Sequence, residues 1–261
     1  MKRALTAAAL SVGLIGLSGS WSVAIADDDD GNDQRLQAVP SVFIGKAGDC
    51  GTGYPAGSNI VTSAWLGGMG LPDNGGPNVG TDPTDNPNKR DPHLGLLLSK
   101  NGTTADCSAP GAEIAGVKGM TVTAGFHLGF DYRNGSHCGA GAGRFNVSYR
   151  QPDGNDGFSF VGGCSNDHQP TQAPQDPLQW TRVRFETSDA AESFPPIPTG
   201  SRIISIGIIL DEGTDTATND TEGVGLAVID NIDINGRLIT QGSGVADGIN
   251  HDKDDKKRNR D

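Results

Sequence analysis

Four cysteines and several crowded acidic segments carry most of the chemical potential of this 261-residue chain. An even count, Cys50, Cys107, Cys138 and Cys164, admits three disulfide pairings. Cys138 and Cys164 bracket a predicted hairpin over 144–161 whose ends must meet, so they are expected to pair, and Cys50 joins Cys107 by elimination. The competing chemistry is a zinc site from His137, Cys138, Cys164 and His168. It has no Cys-x-x-Cys knuckle, and neighbours in an extended segment point to opposite faces, so disulfides are the preferred reading.

Asp211, Glu212, Asp215, Asp220 and Glu222 crowd around Gly213, and hard oxygen donors at that density suit calcium. The alternative is an ordinary solvated loop in an acidic protein. Asp82, Asp85, Asn86, Asn88 and Asp91 repeat the composition within a proline-rich stretch, 71–92, which reads as a binding loop or a stiff solvated one. Catalytic signatures are scarce: no Gly-x-Ser-x-Gly, Walker or dinucleotide motif occurs. His127 and Asp131 share one strand face about 13 Å apart, too far for a triad contact. Asp131 with Glu186 would suit a glycosidase only if the fold brought them within roughly 5–10 Å.

Sugar recognition needs an aromatic platform beside planar polar groups. Tyr54, Trp65 and Trp180 are the candidate platforms, with core filling as the alternative for both tryptophans. Asp131, Arg133, Asn134 and His137 are the candidate polar partners, although Asn134-Gly135 also reads as a plain turn.

What must position these residues is a succession of short strands. Candidates lie at 39–44, 59–66, 94–99, 112–117, 121–132, 144–149, 158–161, 178–187, 202–210 and 223–234, separated by glycine and proline corners. Within 121–132, Phe126, Leu128, Phe130 and Tyr132 face one way and His127, Gly129 and Asp131 the other. No segment after residue 26 carries a sustained helical stripe, which predicts an all-β fold, an antiparallel β-sandwich of jelly-roll type.

Lys2 and Arg3 precede an uncharged run over 4–17, and Ala24-Ile25-Ala26 is a small-x-small cleavage box. The expected organisation is a signal peptide over 1–26, a flexible acidic lead-in over 27–37, one sandwich domain over 38–241 and a disordered charged tail over 242–261. The apolar run falls short of the roughly 18–20 residues of a spanning helix, so export to a secreted or periplasmic destination is expected, without membrane insertion. Without Lys2 and Arg3, 18 of the 20 basic residues remain against 32 acidic ones, a formal charge of −14. Such a surface repels phosphate backbones, and the basic cluster 256–260 has no aromatic partner, so no nucleic-acid binding is expected. Nothing in the pattern speaks to oligomeric state.

The stretch 223–236, Gly-Val-Gly-Leu-Ala-Val-Ile-Asp-Asn-Ile-Asp-Ile-Asn-Gly, with the isoleucine-rich 202–210 and the acidic loop between, resembles the closing strands of galactose-binding-like jelly rolls of secreted carbohydrate-binding modules. The resemblance covers about 35 residues and implies fold more than function. It implies a structural calcium held in part by Asp230, with Asn231 as a further oxygen ligand, and Asp211 and Glu212 of the preceding loop as the other candidates. The expected function is an exported, non-catalytic binding or surface-associated module, calcium-stabilised, whose partner is a glycan or other cell-surface component. The alternatives are a polysaccharide-degrading hydrolase or lyase, and a structural envelope or matrix protein without a small ligand.

Overall fold

A computed structural model describes residues 35–73, 93–167, 169–216 and 224–248. The expected signal peptide, most of the lead-in, the cluster at 82–91, His168, Asp220, Glu222 and the tail beyond 248 lie outside the described residues.

The described chain forms strands β1 (Gln37–Ile44), β2 (Val61–Gly67), β3 (Leu94–Lys100), β4 (Ser108–Ala115), β5 (His127–Arg133), β6 (Arg144–Arg150), β7 (Asp156–Gly162), β8 (Thr171–Gln172), β9 (Trp180–Glu186), β10 (Ser193–Phe194), β11 (Arg202–Ile209), β12 (Leu226–Ile234), β13 (Arg237–Ile239) and β14 (Val245–Asp247). Every expected strand overlaps an observed one. The segment at 121–126 is a difference: a turn in which the Phe126 amide donates to the Thr123 carbonyl delays β5 until His127. β14 is another, because it pairs with β2 and so carries the sheet past the expected domain end at 241.

Two antiparallel sheets pack as a sandwich, in the orders β1-β4-β11-β6-β7-β10 and β14-β2-β3-β12-β5-β9-β8. The alternation read in the sequence decides which side faces inward. Leu128 and Phe130 of β5, Val183 and Phe185 of β9 and Ile229, Ile232 and Ile234 of β12 meet Phe145, Val147 and Tyr149 of β6 in one core. Phe130 bridges the layers, its ring centroid 5.9 Å from Phe145 and 6.2 Å from Phe185. Burial of these large apolar side chains contributes about 1.5–3 kcal/mol each.

Disulfides join Cys50 to Cys107 and Cys138 to Cys164, with Cα separations of 5.6 and 5.3 Å, and no described cysteine is free. Such bonds persist in oxidising compartments. No helix among the described residues is long and apolar enough to cross a membrane.

Candidate functional site

The polar face of 121–132 becomes the outer face of the eight-stranded sheet. There β12, β5 and β9 set Asp230 opposite Asp131 and Asp131 opposite Arg182. Like charges directly across a ladder are unfavourable unless neutralised. Arg182 answers Asp131 with two hydrogen bonds of 2.8 and 2.9 Å, and Arg184 binds Asp233 at 2.8 Å. Asp230 is buried and receives no such cation. Burial, and then the nearby Asp131 and Asp73, push its carboxyl well above the usual range, opposed by a hydrogen bond of 2.7 Å from the Asn231 backbone amide and by one from the Gln175 side chain.

A bulge in β12 between Asp230 and Asp233 places Asn231 at φ 46°. The Asn231 side-chain amide donates to Asp131 Oδ2 at 3.0 Å and to Gln175 Oε1 at 2.5 Å. With both donors so engaged, its own Oδ1 is buried without a partner. The Asp230–Asn231 corner therefore combines a buried carboxyl that has hydrogen bonds but no cationic partner with an orphaned amide oxygen, a donor chemistry suited to a hard cation. Among the described residues no three His, Cys, Asp or Glu side chains converge on a metal position, so backbone or amide oxygens would have to complete the shell.

The acidic loop after β11 is organised by protein cations. Asp211 takes a two-pronged ion pair from Arg144 at 2.7 and 2.6 Å, and Glu212 accepts from the Gly141 amide at 3.0 Å and lies 2.8 Å from His137 Nε2. The positive centre of this region is Lys100, only 1% exposed. Its ammonium donates to the carbonyls of Thr104, Asp106 and Asp211 at 3.1, 2.7 and 2.8 Å. Burial lowers its pKa, an effect that Asp211, Asp106 and Asp215 oppose. Asp211 and Glu212 thus already have partners where calcium ligands were expected, and His137 serves as a buried crosslink rather than an open contact.

The other expected contact residues scatter. Trp65 lies in the main core with Nε1 donating to the Ala38 carbonyl at 2.8 Å, so no face of its ring is open to a sugar. Trp180 sits on the outer face of the eight-stranded sheet yet is fully buried, packed with Ala173 and Val228. The Pro72 carbonyl accepts from its Nε1 at 3.2 Å, and the Arg133 guanidinium lies 5.7 Å from its ring. Arg133 also donates to the Leu71 carbonyl. Asn134 is the bonded turn that was the alternative reading, donating to the Leu178 carbonyl at 3.1 Å and accepting from Thr181 Oγ1 at 2.7 Å. Tyr54 is exposed in its loop, as its glycine-proline context suggests. Asp131 and Glu186 are no glycosidase pair: Asp131 faces Arg182 and Glu186 faces His127, four residues along, about 13 Å away.

A groove that sequence reasoning missed lies on the outer face of the six-stranded sheet. Register places Val39, Glu113, Gly207, Asn146, Phe160 and Phe194 in one row across β1, β4, β11, β6, β7 and β10. Phe158 and Phe160 point outward, 43% and 41% exposed, with rings edge to face at 5.0 Å, and the Arg144 guanidinium supports Phe160 at 4.8 Å. Ser159 takes the inward position between them and is satisfied by Ser193 Oγ at 2.9 Å and the Pro195 carbonyl at 2.7 Å. The groove encloses about 280 Å³ between Phe43 and Phe158 over a floor that includes Gly111, Gly207, Asn146, Ser148 and Glu113. Asn146 Oδ1 is buried there without a partner, and burial raises the pKa of Glu113. Phe145, Val147 and Tyr149 face inward, and the register that sets them opposite Val161, Ser159 and Gly157 turns Phe158 and Phe160 outward, a register the sequence pattern leaves open. A larger cleft, about 620 Å³, lies between 35–39 and 237–243, but no aromatic ring lines it and it borders residues outside those described.

Compared with known proteins, the chain matches no family model, no curated sequence and no solved structure.

Proposed function

We propose that this protein is an exported, non-catalytic carbohydrate-binding module on a galactose-binding-like jelly-roll plan, stabilised by calcium and acting in a secreted or periplasmic setting on a glycan or other cell-surface component. The observation that carries the reading is the six-stranded sheet's open face, where the exposed Phe158 and the half-buried Phe43 flank a floor of amide, carboxyl and hydroxyl groups. Exposed aromatic rings carry a solvation cost that a stacking ligand removes, and hydroxyl-rich ligands satisfy the polar floor. The calcium position supported best is the Asp230–Asn231 bulge, where a cation would compensate the buried carboxyl and engage the orphaned Asn231 oxygen. Two disulfides fit an oxidising destination.

The burial of Trp65 and Trp180 favours the structural-protein alternative, but the groove supplies an accessible site that such a protein would not need. A glycan array probed with the mature chain, with calcium and with chelator, tests the reading. Retention of at least one glycan class is expected, and a blank array under both conditions would refute it.

A further inference from the structure

A carbohydrate ligand on this protein has to fit the groove between Phe43 and Phe158. Resting on the carbohydrate-binding reading, we propose that the outer face of the six-stranded sheet binds one uncharged polysaccharide chain, laid across the strands from Phe43 to Phe158.

Length, relief, chemistry and charge converge on this ligand. Four interstrand spacings separate β1 from β7, about 19 Å, which suits several sugar rings rather than a monosaccharide. Gly111 and Gly207 leave the centre without side chains while aromatic rings rise at the ends. A recessed floor with raised walls accepts a single chain better than a flat crystalline surface. A pyranose has apolar faces and an equator of hydroxyls. Phe158 offers a ring for the face, while Asn146 Oδ1, the Glu113 carboxyl and the Ser148 hydroxyl offer acceptors for the equator. Asn146 Oδ1 is the strongest pointer, because a buried carbonyl oxygen without a donor is a cost that a ligand hydroxyl would remove.

No Lys or Arg lines the groove, its one ionisable lining group is Glu113, and the whole chain carries a formal charge of −12. On the same outer face Arg144 is committed to Asp211 and Phe160, Arg150 is paired with Asp156, and Arg202, opposite Arg150, donates to the Gly119 carbonyl. A polyanion would meet repulsion without a counter-charge.

Native affinity electrophoresis of the mature chain tests this, in gels containing mixed-linkage β-glucan, xylan or mannan as neutral probes and polygalacturonate or alginate as anionic ones. Two variants accompany the wild type: Phe158→Ala, which removes an exposed ring, and Gly207→Val, which fills the floor. A Cβ at Gly207 would sit at ordinary contact distance, 3.4 Å from Glu113 Oε1, and a β-branched residue suits a strand, so the second variant should fold and melt like the wild type. Retardation by a neutral polysaccharide and by no anionic one is expected, with affinity falling about tenfold or more in each variant. Wild-type retardation that both variants retain would overturn the placement while leaving the carbohydrate reading intact. Preference for an anionic probe would overturn the ligand class. Absence of retardation in every gel would remove the carbohydrate reading and this inference with it. Self-association by sedimentation that Phe158→Ala abolishes would identify the face as a protein interface and overturn the proposal.

Discussion

Replacing Lys100 with methionine should be among the most damaging single substitutions in the domain. The new side chain fills a similar volume but donates nothing, so the carbonyls of Thr104, Asp106 and Asp211 lose a buried partner together. Hydrogen bonds to a charged group contribute about 1.5–3 kcal/mol each but are not additive, and removing one side of a buried ionic network costs about 3–5 kcal/mol. A domain of this size loses about 2–4 °C of melting temperature per kcal/mol, so a drop of about 6–20 °C is expected. Scanning calorimetry at neutral pH with the disulfides intact measures it. The same substitution should loosen the 211–215 loop, because the Thr104 amide donates to Asp215 Oδ1 at 2.7 Å and the Thr214 amide to the Gly102 carbonyl at 2.8 Å in the region Lys100 pins. A variant melting within about 2 °C of wild type would refute the view that this ammonium, rather than a metal, organises the acidic loop.

Three further outcomes are expected. Calcium at a hundredfold excess over its dissociation constant should add about 2.7 kcal/mol, or about 5–11 °C, to the melting temperature relative to chelator, and Asp230→Asn should keep the fold and lose the shift; equal wild-type melts with and without calcium would remove the metal from the account. Burial raises the folded-state pKa of Glu113, so its charged form penalises the native state and wild-type stability falls as pH rises through that value; Glu113→Gln should therefore gain relative to wild type in neutral denaturant titrations and lose the advantage below about pH 4. Opening Cys138–Cys164 with a double serine variant should cost about 3.5 kcal/mol and opening Cys50–Cys107 about 4 kcal/mol, following sequence separations of 26 and 57, as urea unfolding of each would show.

The cysteine pairing was legible because a hairpin dictates which ends meet, and the inward rows of β5, β6 and β9 were legible because alternation has period two. What escaped depends on contacts distant in sequence. Trp180 stands on the side of its strand that should be wet, and only the Pro72 carbonyl, 108 residues away, and the neighbouring Ala173 and Val228 reveal why it is buried. The Asp230–Asn231 pair is visible in the sequence, but its environment is set by Asp131 across the ladder and Gln175 on another segment. The composition of the acidic loop suits either a metal cradle or a solvated loop, and no local pattern shows that Lys100, 111 residues before Asp211, reaches into it. β8, β10, β13 and β14 are two or three residues long, too short for any periodicity. The pattern at 158–161 predicts a strand but not its side, which the register of β6 and β7 settles.

The central claim, a glycan chain on the six-stranded sheet, is tested most directly by amide chemical-shift mapping of the isotopically labelled mature chain titrated with a soluble neutral oligosaccharide. Saturating shifts at Glu113, Asn146, Phe158 and Gly207, with the Asp131 and Trp180 side of the molecule unmoved, are the predicted result. Shifts confined to the eight-stranded sheet or to the Tyr54 loop would contradict the claim.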